Sequence, residues 1–297
     1  MIRSFTRSNN IEMYEDISLK KYNTYRLDVK CDYLVFPKDI DEVVKLISFL
    51  KENNYKYLVL GNGSNVIFKN KRYNGVVIKL SKLDKIEFDG DKVVVGAGVS
   101  LSKLANMAIN NSLSGLEFSV SIPGEIGASV SMNAGAYNES FSDVFVSAKV
   151  LTPKLEIIVL TNEDMDFSYR NSFIKKNKDY IVLEVVLKLK PGNKEEMNAV
   201  IEKRFEKRKA TQPLEYPSAG SVFRNPEGMY AGKLIEDANL KGYSIGGAMI
   251  SDMHANFIVN KDNATGEDII NLINLAKDKV KENNNIDLYL EQVIIDN

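Results

Sequence analysis

The sequence predicts an α+β fold in two domains, and three observations carry the expectation. Short β-rich runs bounded by Gly, Asn and Asp crowd the stretch from Tyr57 to Leu189. Helical periodicity is confined to a few separated segments. A breaker cluster, Lys190-Pro191-Gly192, then gives way to a polar stretch that opens a second part with helices of its own. The chain of 297 residues is long enough for this, and 44% hydrophobic with 27% charged residues is ordinary globular chemistry.

Residues 1–22 read as an N-terminal extension. From Asp41 to Asn54, Val43, Val44, Ile47 and Leu50 recur at helical spacing, and Tyr57 to Leu60 follows as a short buried strand. Gly61-Asn62-Gly63-Ser64-Asn65 comes next, where glycine permits backbone angles and approaches that other residues resist. Gly75 to Leu80 and Lys85 to Val95 read as strands, the latter split by the Asp89-Gly90 hairpin signal, and Leu101 to Asn110 as a helix. Residues 122–137 are rich in Gly, Ala and Ser yet too apolar for a flexible linker, so they read as packed backbone beside a ligand. Strands at 144–151, 157–160 and 180–189 close the first domain, 23–191. The second domain, 192–297, opens on a charged helix over 194–210 with Met197, Val200, Ile201 and Phe205 on one face. A helix at 231–239, a strand ending in His254 to Asn260, a long helix capped by Thr265 with Asp268 at the capping-box position, and a strand over 288–295 complete it.

Charge and cysteine content narrow the function classes. With 39 Lys plus Arg against 40 Asp plus Glu, the net charge is −1, which gives no global field for nucleic acid or an anionic membrane. Cys31 is the only cysteine, so an intrachain disulfide is impossible, and the chain suggests no metal site. Met1 to Tyr25 has no apolar core of a signal peptide, and no apolar run reaches the ~20 residues that span a bilayer. These features predict a soluble cytoplasmic protein without an obligate protein partner.

Several motifs carry chemistry. The turn Gly61 to Asn65 offers N–H groups to an anion such as a pyrophosphate, but it lacks the Gly-Lys-Ser/Thr of a Walker loop and the third glycine of the Rossmann fingerprint. Paired with the second glycine-rich segment, it points toward a dinucleotide. Tyr169-Arg170-Asn171-Ser172 sets a guanidinium between Phe167 and Phe173, where it needs an anionic partner; a surface arginine in a connection is the equal alternative. Pro217-Ser218-Ala219-Gly220-Ser221 holds a hydroxyl at a small-residue turn before Val222, Phe223 and Arg224, although a turn serine commonly caps its own backbone. His254, the only histidine, reads as structural or ligand-lining, and Glu291 as either an inward acid or a water-facing edge residue. The run Lys203 to Lys209 is a solvated helix face or a docking site for a nucleotide diphosphate.

Taken in order, Leu60 to Asn65, Ile122-Pro123-Gly124 with Asn133 to Tyr137, Tyr169 to Ser172, Gln212 to Ser221 and His254 to Asn260 closely resemble the UDP-N-acetylenolpyruvoylglucosamine reductases, the MurB family, in its shorter type II form. The resemblance runs from Asn23 to the C-terminus. It implies an FAD-binding domain of the vanillyl-alcohol-oxidase/PCMH type followed by a smaller α+β domain for the nucleotide sugar, with NADPH as hydride source. By motif match it implies cofactor contacts from Gly61, Asn62, Gly63, Ser64, Asn65, Pro123, Gly124, Gly127, Ala128, Asn133, Gly135 and Ala136. Arg170, Ser221 and Glu291 match the catalytic positions, and Tyr169, Asn225 and His254 are assigned to the substrate. The implied substrate is UDP-N-acetylglucosamine enolpyruvate, reduced to a lactyl ether in peptidoglycan synthesis.

Ala128, Asn138, Thr211, Asp262, Gln292 and Asp296 depart from the family pattern, and none removes a catalytic group. Two other readings stand beside it: a noncovalent flavin oxidase of the same fold, and a nucleotide-sugar-binding relative without turnover.

Overall fold

The computed structural model describes residues 1–296. They pack as two compact units, each assembled from separate stretches: unit one from Met1–Glu15, Tyr33–Gly61 and Gly75–Phe205, unit two from Asp16–Asp32, Asn62–Asn74 and the chain from Glu206 onward. Packing therefore does not divide at residues 191/192, and residues 1–22 do not stand apart as an extension. Helix Ile2–Ser8 buries Ile2 and Thr6, whereas Leu19 is buried in a stretch that belongs to unit two.

The main sheet of unit one is five-stranded and antiparallel, in the order Ile157–Thr161, Phe145–Leu151, Ile181–Lys188, Lys92–Gly96, Ile86–Asp89. Gly90 takes φ +59 in the tight turn joining its last two strands, as the Asp-Gly signal requires. Helix Leu101–Asn110 begins where Ser100 accepts from Lys103 N at 3.2 Å, and its period buries Leu101, Leu104, Ala105, Ala108 and Ile109. Helix Ile40–Glu52 starts in the same way on Asp39, which accepts from Glu42 N at 2.8 Å. A four-stranded sheet runs Glu12–Ser18, Lys30–Phe36, Arg72–Ile78, Tyr57–Val59, and the unit boundaries fall inside its first three strands. The glycine-rich stretch 122–137 contains a short helix, Ile126–Ser131, and is not irregular throughout.

Helix Lys194–Thr211 forms where its spacing predicts, but of the expected apolar face only Met197 is buried; Val200 is 41% and Phe205 49% exposed. Its attachment within unit one is polar: Arg204 makes two bonds to Glu139, at 2.7 and 2.8 Å, with its guanidinium 4.7 Å from the centre of the Tyr137 ring. Tyr137 in turn donates to the Arg204 carbonyl at 3.0 Å. Arg208 Nε donates to Gln212 Oε1 at 2.9 Å, so two cations of the basic run serve the protein's own contacts.

Unit two holds a three-stranded antiparallel sheet, Ser244–Ile245, Ala248–Ile250 and Ile258–Asn260, with helices Ala231–Asp237 and Gly266–Asn284 packed together beside it. The strand expected to end at 254–260 is shorter, because Ser251 to Phe257 form a turn. At the long helix both halves of the capping box are made, Asp268 N to Thr265 Oγ1 at 3.2 Å and Thr265 N to Asp268 Oδ2 at 2.8 Å. The strand expected over 288–295 is divided. Val293–Ile295 runs parallel to Val66–Phe68, while residues 289–291 pair with 222–224 through a single bridge, Phe223 to Leu290. Two different partners along one segment leave no uniform ladder.

Candidate active site

In unit one the two glycine-rich segments meet at Gly61. A Cβ there would lie 2.8 Å from the Ala128 Cβ, so glycine is required by packing between the loops. Lys79, buried immediately after strand Arg72–Ile78, ties them together: its ammonium donates to the Gly61 carbonyl and, at 2.8 Å, to Glu125. In unit two Gly63 has φ +64 and no room for a Cβ, which would fall 2.2 Å from the Tyr22 carbonyl oxygen. Both glycines are thus demanded by the chain itself. The consecutive N–H groups of Asn62, Gly63 and Ser64 donate to no acceptor among the described residues, which is the donor array an anion takes. Asn65 is used structurally: its side chain donates to the Glu291 carbonyl at 3.2 Å, and its own carbonyl accepts from Val293 N at 2.9 Å. Gly127 N is likewise engaged, by the Ala97 carbonyl at 2.9 Å, so the start of the short helix is not a free donor array.

The Tyr169–Ser172 motif and the 131–136 loop are one construction. Ser168 and Asn171 exchange two backbone bonds of 3.1 Å across a tight reversal in which Arg170 takes φ +54. The Arg170 guanidinium donates to the Gly135 carbonyl at 2.6 Å and the Asn133 carbonyl at 3.5 Å, and it lies over the Tyr169 ring. Ser172 Oγ donates to the Ser131 carbonyl at 2.6 Å, and Asn133, at φ +44, donates to the Ser168 carbonyl at 3.1 Å. Two of the contacts of the guanidinium that the sequence expects to need an anion are to backbone carbonyls. Tyr169, 55% exposed, stands at the surface. Pro123 and Gly124 lead into the short helix, with the Gly124 carbonyl accepting from Leu101 N at 2.9 Å. Ala136 lies in the hairpin whose register sets Gly135 opposite Ser140.

In unit two Ser221, Asn225, Tyr230, Lys233, Lys241 and His254 face one cavity of about 290 Å³. The Ser221 hydroxyl has no hydrogen bond among the described residues. Its backbone is fixed on the following side, where Val222 N donates to the Asn256 carbonyl at 2.9 Å and Phe223 N to Asn256 Oδ1 at 2.9 Å, while Gly220 before it takes φ +74. Glu291 N donates to the Val222 carbonyl at 2.8 Å, so two of the three expected catalytic residues lie on paired backbones. Arg170 belongs to unit one. Asn225 accepts from Ala231 N at 3.1 Å, at the start of helix Ala231–Asp237. Arg224 was not singled out by the sequence reading as a site residue, yet its Nε is buried with no acceptor among the described residues.

His254 Nδ1 accepts from Asn256 N at 3.2 Å, which assigns the proton to Nε2, and its ring packs against Phe257 at 4.9 Å. Burial holds the imidazole below its ordinary range. Because the unfolded chain takes up this proton first, the associated stability is present above the ordinary imidazole pKa and is lost as pH falls through the folded value. We expect the single imidazole to titrate below 6.5 by NMR, with ¹⁵N shifts of the Nε2-protonated tautomer. A midpoint above that value contradicts this environment.

These features define a flavoprotein: the FAD binding domain family model matches residues 31–161. The model for the C-terminal domain of UDP-N-acetylenolpyruvoylglucosamine reductase matches 212–295. A UDP-N-acetylenolpyruvoylglucosamine reductase of Clostridium kluyveri is 46% identical over 280 residues, covering 94% of this chain and 92% of its own. That of Clostridium tetani is 43% identical over 288 residues, 97% of this chain and 93% of its own. The crystal structure of UDP-N-acetylenolpyruvylglucosamine reductase (MurB) from Thermus caldophilus superposes with a TM-score of 0.81 at 33% identity, over 96% of this chain and 99% of that one. The chain belongs to the UDP-N-acetylenolpyruvoylglucosamine reductase family.

Proposed function

We propose that this protein reduces UDP-N-acetylglucosamine enolpyruvate to UDP-N-acetylmuramate with NADPH as hydride source, a cytoplasmic step of peptidoglycan synthesis. The observation that carries the reading is the unengaged Ser221 hydroxyl at the cavity of unit two, held on a backbone paired with that of Glu291. As functional divisions, residues 23–191 serve the cofactor and 192–297 the substrate.

The residues present fit FAD. Asn62, Gly63 and Ser64 offer free N–H groups to a pyrophosphate, with Gly61 and Asn65 completing their turn. Pro123, Gly124, Gly127, Ala128, Asn133, Gly135 and Ala136 supply a backbone wall stripped of large side chains. Bound FAD supplies the hydride for the methylene carbon of the enolpyruvyl group. That addition drives negative charge into the adjoining carboxylate, which calls for a fixed cation and a hydrogen-bond donor. Arg170 is the cation and Glu291, protonated, the donor. Ser221 protonates the neighbouring carbon; an alcohol is a weak acid, but a strongly basic enolate and a prepositioned hydroxyl make it sufficient. Tyr169, Asn225 and His254 orient the substrate, with neutral His254 donating through Nε2.

The test is direct. The purified protein should release FAD on heating and, with NADPH, convert the enolpyruvyl substrate to a product two mass units heavier. A flavin that consumes oxygen rapidly with no such product would instead favour the oxidase reading.

A further inference from the structure

Gln292 departs from the family pattern and stands beside Glu291 with no part in the chemistry above. It is 3% exposed, and both ends of its amide are occupied. Nε2 donates to the Ala219 carbonyl at 3.0 Å and the Gly220 carbonyl at 3.2 Å, while Oε1 accepts from the Tyr25 hydroxyl at 3.0 Å. Tyr25 is itself fully buried, and burial pushes its phenol far above the ordinary value, so it remains a donor.

The carbonyls that Gln292 grips are those leading into Ser221. The Gly220 carbonyl and the Ser221 N–H share one peptide plane. Gly220 sits at φ +74 with open space where a Cβ would be, so neither its own sterics nor its neighbours fix that plane. We propose that Gln292, oriented by Tyr25, is a positioning residue for Ser221: it locks the Gly220–Ser221 peptide and thereby the direction of the hydroxyl. Asn256 secures the following side at Val222 and Phe223, so the serine is clamped by one amide before it and one after. Glu291 and Gln292 are consecutive, so one short segment carries the proposed carboxyl and braces the serine turn.

This inference rests on Ser221 as proton donor, and one experiment separates the two claims. Flavin in the holoenzyme is reduced anaerobically with NADPH, then mixed with UDP-N-acetylglucosamine enolpyruvate. Wild type, Ser221→Ala, Gln292→Leu, the double variant and Tyr25→Phe are compared. We expect Gln292→Leu to slow flavin reoxidation about 10–100-fold at saturating substrate, the scale of an ångström-sized misplacement. Flavin reduction by NADPH and the substrate Kd should stay within about threefold, and Tyr25→Phe should show a smaller loss of the same kind. Because both residues act through the serine, the double variant should be no slower than Ser221→Ala alone. Wild-type reoxidation in Gln292→Leu, equal slowing of both half-reactions, or additive losses in the double variant would each overturn the proposal. A Ser221→Ala variant that reoxidises normally removes the proton-donor reading instead, and is recognised by that variant alone. Should Gln292→Leu not fold, wild-type reoxidation in Tyr25→Phe overturns the proposal.

Discussion

Ser221→Ala is expected to leave reduction of the flavin by NADPH nearly intact and to slow transfer to the enolpyruvyl substrate by about 10²–10⁴-fold, the range a positioned proton donor supplies. The asymmetry is the informative part. Ser221 lines the cavity of unit two and its hydroxyl holds no other residue in place among those described, so its loss is expected to remove a proton source and little packing. Stopped-flow traces of the two half-reactions measure both rates on one preparation. Equal slowing of both halves would show that the serine supports the protein rather than the proton transfer.

The second large effect is expected at Arg170. Arg170→Met should cost the second half-reaction about 10²–10³-fold, comparable to losing one preorganised charge stabiliser. Arg170→Lys should recover only part of this. Its single ammonium keeps the charge but cannot span the Gly135 and Asn133 carbonyls, to which the guanidinium reaches at 2.6 and 3.5 Å. Both variants should also hold flavin less firmly, because Arg170, Ser172 and Asn133 tie the glycine-rich loop to the 168–172 reversal. Full activity in Arg170→Lys would mean that charge alone matters and that the fork geometry does not.

Local signals in the sequence were read well where local forces decide. Helix Leu101–Asn110 has its cap and its apolar period in adjacent residues, and the Thr265–Asp268 box sits within four. The Asp89-Gly90 signal marks a real reversal. What the sequence hid is non-local. Nothing in Val66–Phe68 announces its parallel pairing with Val293–Ile295, more than two hundred residues away, and nothing in 16–32 announces that it packs with unit two. The helix Lys194–Thr211 misled because its apolar residues suggested a buried face, whereas a bidentate Arg204–Glu139 pair and Met197 anchor it.

The site was legible as residue types but not as construction. Gly61 and Gly63 were recognised as places where a side chain is excluded, but the excluding atoms belong to Ala128 and Tyr22. Ser221 and Glu291 were named separately, and only pairing of 222–224 with 289–291 shows them on neighbouring backbones. Gln292 looked like a bare departure from a pattern until its two carbonyl acceptors were seen.

The most direct measurement of the central claim is anaerobic. The flavin is reduced with NADPH, UDP-N-acetylglucosamine enolpyruvate is added, and the return of oxidised-flavin absorbance is followed with the product. Rapid reoxidation matched mole for mole by UDP-N-acetylmuramate is the predicted result. A flavin that stays reduced in the presence of saturating substrate would contradict it.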